Sequence, residues 1–469
     1  MKKFIFIILS LFIIFFTSII LFESLIKTTL FVYKNIPKSE KYSYIYVLGE
    51  SSAAGFPYIK FSYSTIIKEI VNNRIDNKKI VVINLSTPGC RLIHQYVSYF
   101  LYRLSHPQRK GILVLYTGTN DMNVNMKNNK IISKTLLFLD LHKPVDNYLY
   151  FLLEFINRKI SNSFCHKILN IIDSFEYEYE KIINLSKKIG DEIYVSTLAK
   201  NYVNFHPNIS IYHNKYEKEM NEIDNQIFSN NLDKAEILCK KYLSNNNYKI
   251  KNPFYYRLGK IYELKGLISE ANKAYIKADT NIFFNKNITI EKNKIIKFLA
   301  KKYKIEYIDL FSILYNSNKT IGLNYFTDNI HPTMDTNIIL SYEFVKKISK
   351  RHKVKITPVN LFDINHFLNK YKYNNNDRLR IKMNIVTELE YNEYTYKYNT
   401  GNINNLIKEI NNLKIDENKR PDSKDRNEFL QLQKDYFYYY TNKKWKSLNE
   451  TKQKLADQNE LCGYKFTVL

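Results

Sequence analysis

Short apolar runs separated by helix-length stretches set the pattern of the chain. Residues 44–48, 79–85, 111–116, 192–197 and 305–310 are runs of aliphatic, aromatic and β-branched side chains with almost no alternation. Such runs predict strands buried on both faces. Between them, apolar positions recur at helical spacing over residues 63–74, 92–104, 130–189, 291–303 and 337–349. Strands alternating with helices in this way predict an α/β fold, a parallel sheet covered by helices on both sides.

The N-terminus carries a different pattern. Lys2 and Lys3 precede an uncharged, mainly apolar run over residues 4–22, first broken at Glu23. That length suffices to cross a bilayer as a helix. Its exit, residues 19–25, shows neither a small-residue cleavage site nor a lipid-accepting cysteine. The pattern predicts an uncleaved transmembrane anchor over residues 1–26. Positive charge before the span places the N-terminus inside and the rest of the chain outside the membrane. A linker follows over residues 27–42, and the main domain over residues 43–350.

Between residues 216 and 279 the pattern changes to paired helices. Gly259, Gly266, Ala271 and Ala278 put small residues where helices would touch, with Leu258, Tyr262 and Tyr275 filling between them. This spacing resembles the tetratricopeptide repeat, and a fainter copy matches Ala235 to Ala271 and Asn230 to Gly266. No Trp opens the unit and no Pro closes it. Two units are too few for a free-standing array, which implies an insertion over residues 212–282 braced on the main domain. It could bind a protein partner or simply extend the fold. Its ends, after the fourth strand and before the fifth, lead us to expect it as one wall of the cleft. Over residues 351–469 the pattern weakens: residues 374–377 and 418–425 read as loops and 427–456 as helical, a mainly helical extension with no assignable chemistry.

Composition changes this picture little. Lys and Arg number 71 against 45 Asp and Glu, for a net charge of +26, while Tyr 40 and Phe 29 stand against Trp 1. With abundant Asn and Ile, this is the profile of drift toward AT-rich codons, and the lysines read as solvated faces. No basic stripe interleaved with aromatics marks a nucleic-acid surface, so nucleic acid is not expected as a partner. Cys90, Cys165, Cys239 and Cys462 are scattered, with neither a zinc motif nor a disulfide framework. No metal and no cofactor is implied.

Candidate chemistry lies in four stretches at predicted strand ends or before the last helix, the edge where open α/β sheets build their sites. Gly49-Glu50-Ser51 leaves the first strand in a glycine-bounded turn that continues to Gly55 and can hold a serine hydroxyl clear of the sheet. The register with Gly49 and Gly55 favours Ser51 over Ser52. Gly89 follows the second strand and leaves a backbone N–H free to approach a substrate oxygen. Gly118-Thr119-Asn120-Asp121 follows the third strand, and Asn120 offers an amide donor. Asp328 and His331 stand three apart, a spacing that lets the carboxylate reach the near imidazole nitrogen. The far nitrogen would then face Ser51 as a general base. None of the other eight histidines has both an Asp three before it and a Pro after it.

In this order the four stretches resemble the blocks of the SGNH, or GDSL-like, hydrolases, over roughly residues 44–349. Glu50 stands where that family usually carries Asp. The resemblance implies a flavodoxin-like three-layer fold, and an oxyanion hole from the Ser51 and Gly89 N–H groups with the Asn120 amide. It implies a serine esterase, which the anchor predicted from the N-terminal pattern would hold facing outward. The catalytic residues would be Ser51, Asp328 and His331, acting on an acyl ester of a glycan, lipid or cell-envelope component. Two alternatives stand beside it. One is an O-acyltransferase on cell-surface glycans with the same triad. The other is a non-catalytic surface scaffold that binds protein through the repeats.

Overall fold

The computed structural model describes residues 41–58, 61–72, 74–121, 175–205, 213–248, 250–279, 289–356, 370–371, 375–390 and 393–413, with isolated positions before residue 41. The predicted anchor over residues 4–22 lies outside the described residues except for Thr17. Among the described residues no helix is long and apolar enough to cross a membrane. The segments 130–174 and 414–469 also lie outside them.

Six strands form one sheet: β1 (Tyr42–Gly49), β2 (Arg74–Ile75), β3 (Lys78–Asn84), β4 (Gly111–Tyr116), β5 (Glu192–Ser196) and β6 (Glu306–Ile308). Their order is β2-β3-β1-β4-β5-β6. All neighbours are parallel except β2 and β3, so the sheet is mixed but mostly parallel. Ile45, Tyr46, Val47 and Leu48 of β1 are all buried, as continuous apolar strands demand of a sheet covered on both faces. The chain passes from β1 to β3 on one side and then returns to β4 on the other. Reversal of direction at this point opens a crevice above the carboxyl ends of β1 and β4.

Helices α1 (Ser51–Ala54), α2 (Tyr63–Ile70), α3 (Leu92–Ser105) and α4 (Phe175–Ile189) precede the inserted segment. Helices α5 (His213–Phe228), α6 (Leu232–Ser244), α7 (Asn252–Leu264) and α8 (Ile268–Asp279) form it, and α9 (Thr289–Tyr303), α10 (Leu310–Tyr315) and α11 (Met334–Ile348) close the domain. Helix α2 packs on α11, while α3, α4 and α9 form a second packed group.

The inserted helices form two hairpins. Their turns pass through Asn230 (φ 58°) and Gly266 (φ 76°), the two positions that the sequence aligns. Ala235 and Ala271 are both fully buried. A Cβ at Gly259 would come within 2.7 Å of the Tyr275 ring, so the close helix contact needs glycine there. Phe254, Tyr256, Tyr275 and Ala278 belong to the same hydrophobic core as the sheet.

Several predicted boundaries shift for local reasons. Helix α2 ends at Ile70, not near residue 74, because residues 74–75 pair back on β3 as a small antiparallel strand. The turn between them uses left-handed Asp76 and Asn77, the pairing a tight hairpin selects. The fifth predicted strand stops at Ile308, because the Asp309 side chain caps α10 by accepting from the Ser312 N–H. Residues 375–377, read as part of a loop, begin α12 (Asn375–Glu390), which pairs with α13 (Glu393–Asn412). Leu379, Met383, Val386, Ile403 and Ile410 give this hairpin a small core of its own, against which Phe205 and Leu323 pack.

Candidate active site

The turn after β1 is shaped by what cannot fit. A Cβ at Gly49 would lie 2.3 Å from the Tyr116 carbonyl oxygen and 2.4 Å from the Ala53 Cβ. Glycine therefore lets the strand bend sharply into α1, and Gly55 at φ 100° ends that helix in the left-handed region. Ser51 is the first residue of α1, so its backbone N–H has no partner within the helix. Its side chain stands at the mouth of the turn, and the residue remains 8% exposed.

The loop before α11 brings the base. His331 Nε2 lies 2.7 Å from Ser51 Oγ, and His331 Nδ1 lies 2.5 Å from Asp328 Oδ2. The second carboxylate oxygen, Oδ1, accepts the backbone N–H groups of Ile330 at 2.8 Å and His331 at 2.7 Å. One carboxylate thus fixes both the backbone and the ring of its histidine. The loop is closed by the Thr327 N–H donating to the His331 carbonyl at 2.8 Å. The edge-on Phe56 ring, 4.6 Å away, backs the imidazole. An imidazole oriented by a carboxylate and bonded to a hydroxyl can take the proton of that hydroxyl.

Asn120 and Gly89 sit in the loops after β4 and β3, the strands on either side of β1. The two loops are tied together, since Asn120 Nδ2 donates to the Cys90 carbonyl at 3.0 Å. Gly89 is exposed at φ 73°, and its N–H makes no hydrogen bond among the described residues. Ser51, His331 and Asp328 therefore form one hydrogen-bonded line. Asn120 and Gly89 flank it without bonding to it.

Three further side chains shape the site and were not assigned to it from sequence. The buried Glu50 carboxylate accepts the N–H groups of Gly118 (3.1 Å), Thr119 (2.9 Å) and Asn120 (3.2 Å), together with the Thr119 hydroxyl. Burial pushes the Glu50 carboxyl up from its ordinary value, against the pull of these donors. Asp121 accepts the Leu92 N–H through both oxygens at 3.3 Å and faces Arg91 at 3.5 Å. Burial and the Glu50 charge push Asp121 up to about 6. Lys292, fully buried on α9, donates to the carbonyls of Gly118 at 2.6 Å and Asp121 at 2.7 Å. Burial draws it down to about 8. Glu50 beside the serine was visible in the sequence, but its reach to the loop over residues 118–120 was not. Lys292 gave none among so many lysines.

Among the described residues no group of three or more His, Cys, Asp or Glu side chains is placed to hold a metal ion. No protein-family model matches the chain, and no curated protein matches it.

Proposed function

We propose that the chain is a serine esterase of the SGNH type, cleaving acyl esters through a covalent acyl-enzyme on Ser51. The observation that carries this reading is the line Asp328–His331–Ser51, in which a 2.5 Å bond within one loop continues into a 2.7 Å bond to a serine 280 residues away. His331 takes the hydroxyl proton as Ser51 attacks the carbonyl carbon and returns it to the leaving alkoxide. Water then enters on the same base and releases the acid. Asp328 holds the imidazole in the tautomer that presents a free Nε2.

The oxyanion hole in this reading comprises the N–H groups of Ser51 and Gly89 and the Asn120 amide. The strand order supports the reading: in chain order the five parallel strands run 2-1-3-4-5, the order of flavodoxin-like sheets. The substrate class is an acyl ester of a glycan, lipid or other envelope component. The apolar run over residues 4–22 would anchor the enzyme with its domain outside the membrane. The non-catalytic scaffold is disfavoured, because nothing in a protein-binding role would keep three side chains in hydrogen-bonding line.

Labelling with a fluorophosphonate probe tests the assignment. Wild type should label and Ser51→Ala should not, and Ser51→Ala and His331→Ala should each lose nearly all turnover of p-nitrophenyl acetate. Activity within a few-fold of wild type in either variant would sink the triad. Asn120→Ala should lower kcat on the order of 10²–10³-fold, the scale of one oxyanion donor. An unchanged kcat would remove Asn120 from the hole.

A further inference from the structure

The loop over residues 117–121 has no regular secondary structure, so its peptide groups must find partners elsewhere. They find them on two sides. Glu50, arriving from the end of β1, takes the N–H groups of Gly118, Thr119 and Asn120. Lys292, arriving from α9, takes the carbonyls of Gly118 and Asp121. A carboxylate holds one side of the loop and an ammonium holds the other. Gly118 completes the grip. Its φ of 119° is one that glycine tolerates, and a Cβ there would lie 2.3 Å from the Phe175 ring. That ring also lies under the Lys292 ammonium, 5.7 Å from its centre.

A fully buried lysine is a costly way to satisfy two carbonyls. What a neutral donor could not do is balance Glu50 and Asp121, both buried against the same loop. We propose that Lys292 is a positioning residue, holding the loop that carries Asn120 in the shape an oxyanion hole requires. The proposal rests on the esterase reading above. It places a requirement for turnover on α9, the helix through which the chain returns from the inserted hairpins.

The charges around Lys292 come from each element packed on it. Asp121 and Glu50 favour the charged ammonium, as does Asp279 at the end of α8, while Lys200 after β5 opposes it and burial opposes it most. Lys200 and Asp279 are themselves paired. Loss of the Lys292 proton would leave Glu50 and Asp121 without their counter-charge and remove one donor. The grip on the loop should therefore weaken on the alkaline side.

A double-mutant cycle on p-nitrophenyl acetate tests this, using wild type, Ser51→Ala, Asn120→Ala, Lys292→Met and the Asn120→Ala/Lys292→Met pair, with folding checked by circular dichroism. Lys292→Met should lower kcat on the order of 10²-fold with KM changed little, as for loss of an oxyanion donor. The paired variant should lose no more than Asn120→Ala alone, because Lys292 acts through Asn120. Additive losses, or an unchanged kcat in Lys292→Met, would overturn the proposal. Should Lys292→Met fail to fold, the pH profile decides. The kcat of wild type should fall with an apparent pKa near 8, the value to which burial draws Lys292. That limb should be absent from Asn120→Ala, and its persistence there would overturn the proposal. Turnover surviving in Ser51→Ala is a separate result, and it would overturn the esterase reading itself.

Discussion

At the scale of single residues, the site is built from groups that burial makes costly. Glu50 and Asp121 are carboxylates that the fold holds above their ordinary range, and Lys292 is an amine that it holds below. Such perturbation gathers where a protein has work for charge to do. For Asp121 the sign gives a prediction. Its folded value of about 6 lies above the ordinary 3.8, so the folded chain holds this proton more tightly than the unfolded chain. Asp121 therefore contributes most to stability at low pH, and that contribution is lost as pH rises from about 4 to 6. Asp121→Asn keeps an oxygen for the Leu92 N–H and removes the charge. It should be the more stable protein at pH 7.5, by about 3 kcal/mol, with the difference nearly gone at pH 4. Urea unfolding at both pH values measures this. A less stable variant at pH 7.5 would show that Lys292 and Arg91 more than offset the cost of burial.

At the scale of elements, what the sequence displays depends on how completely an element is buried. The strands β1, β3, β4 and β5 were legible because sheet strands covered on both faces leave unbroken apolar runs. Ser51 was singled out by its glycine-bounded turn, and Asp328 and His331 by their three-residue spacing. The order of the four stretches linked them, and the structure brings the three side chains into one hydrogen-bonded line. Helices α10 and α12 were not legible. The first looks like a continuation of β6 until Asp309 is seen to cap it, and the second has a weak apolar stripe that only α13 completes. Glu50 and Lys292 act across 68 to 174 residues of sequence, where no periodicity reaches. His352 is a tie of the same long-range kind, joining Asp76 in the β2–β3 turn at 2.7 Å to Glu192 at the start of β5 at 3.0 Å. The bond to Glu192, followed by the one to Asp76, raises its pKa above 6.5 against the effect of burial. Its stabilisation is complete below 6.5 and is lost as pH rises through the raised folded value. His352→Gln should lower Tm relative to wild type at pH 6 and much less at pH 9. An equal deficit at both would mean packing and not charge.

At the scale of the whole molecule, the inserted hairpins and the α12–α13 hairpin converge on one segment. Thr320 bonds Glu263 of α7 at 3.0 Å, and Asn272 of α8 donates to the Lys319 carbonyl at 3.3 Å while accepting the Ile321 N–H at 3.2 Å. Asn204 takes the Leu323 N–H at 2.9 Å and is itself held by Asn399 of α13 at 2.8 Å. Four residues after Leu323 comes Thr327, which closes the loop of Asp328 and His331. Asn201, in the same strand-end loop as Asn204, donates to the Asn329 carbonyl at 2.9 Å. The inserted hairpins thus bond to residues 319–321, the start of the segment that leads into the loop of Asp328 and His331. Asn272→Ala removes both bonds to the 319–321 segment and leaves a buried N–H unpaired, at about 1–3 kcal/mol. With His331 less firmly held, turnover of p-nitrophenyl acetate and of a long-chain ester should fall together, each on the order of tenfold. The ratio of the two kcat values is the measurement. A loss confined to the long-chain ester would show that the hairpins select the substrate and that the triad loop stands without them.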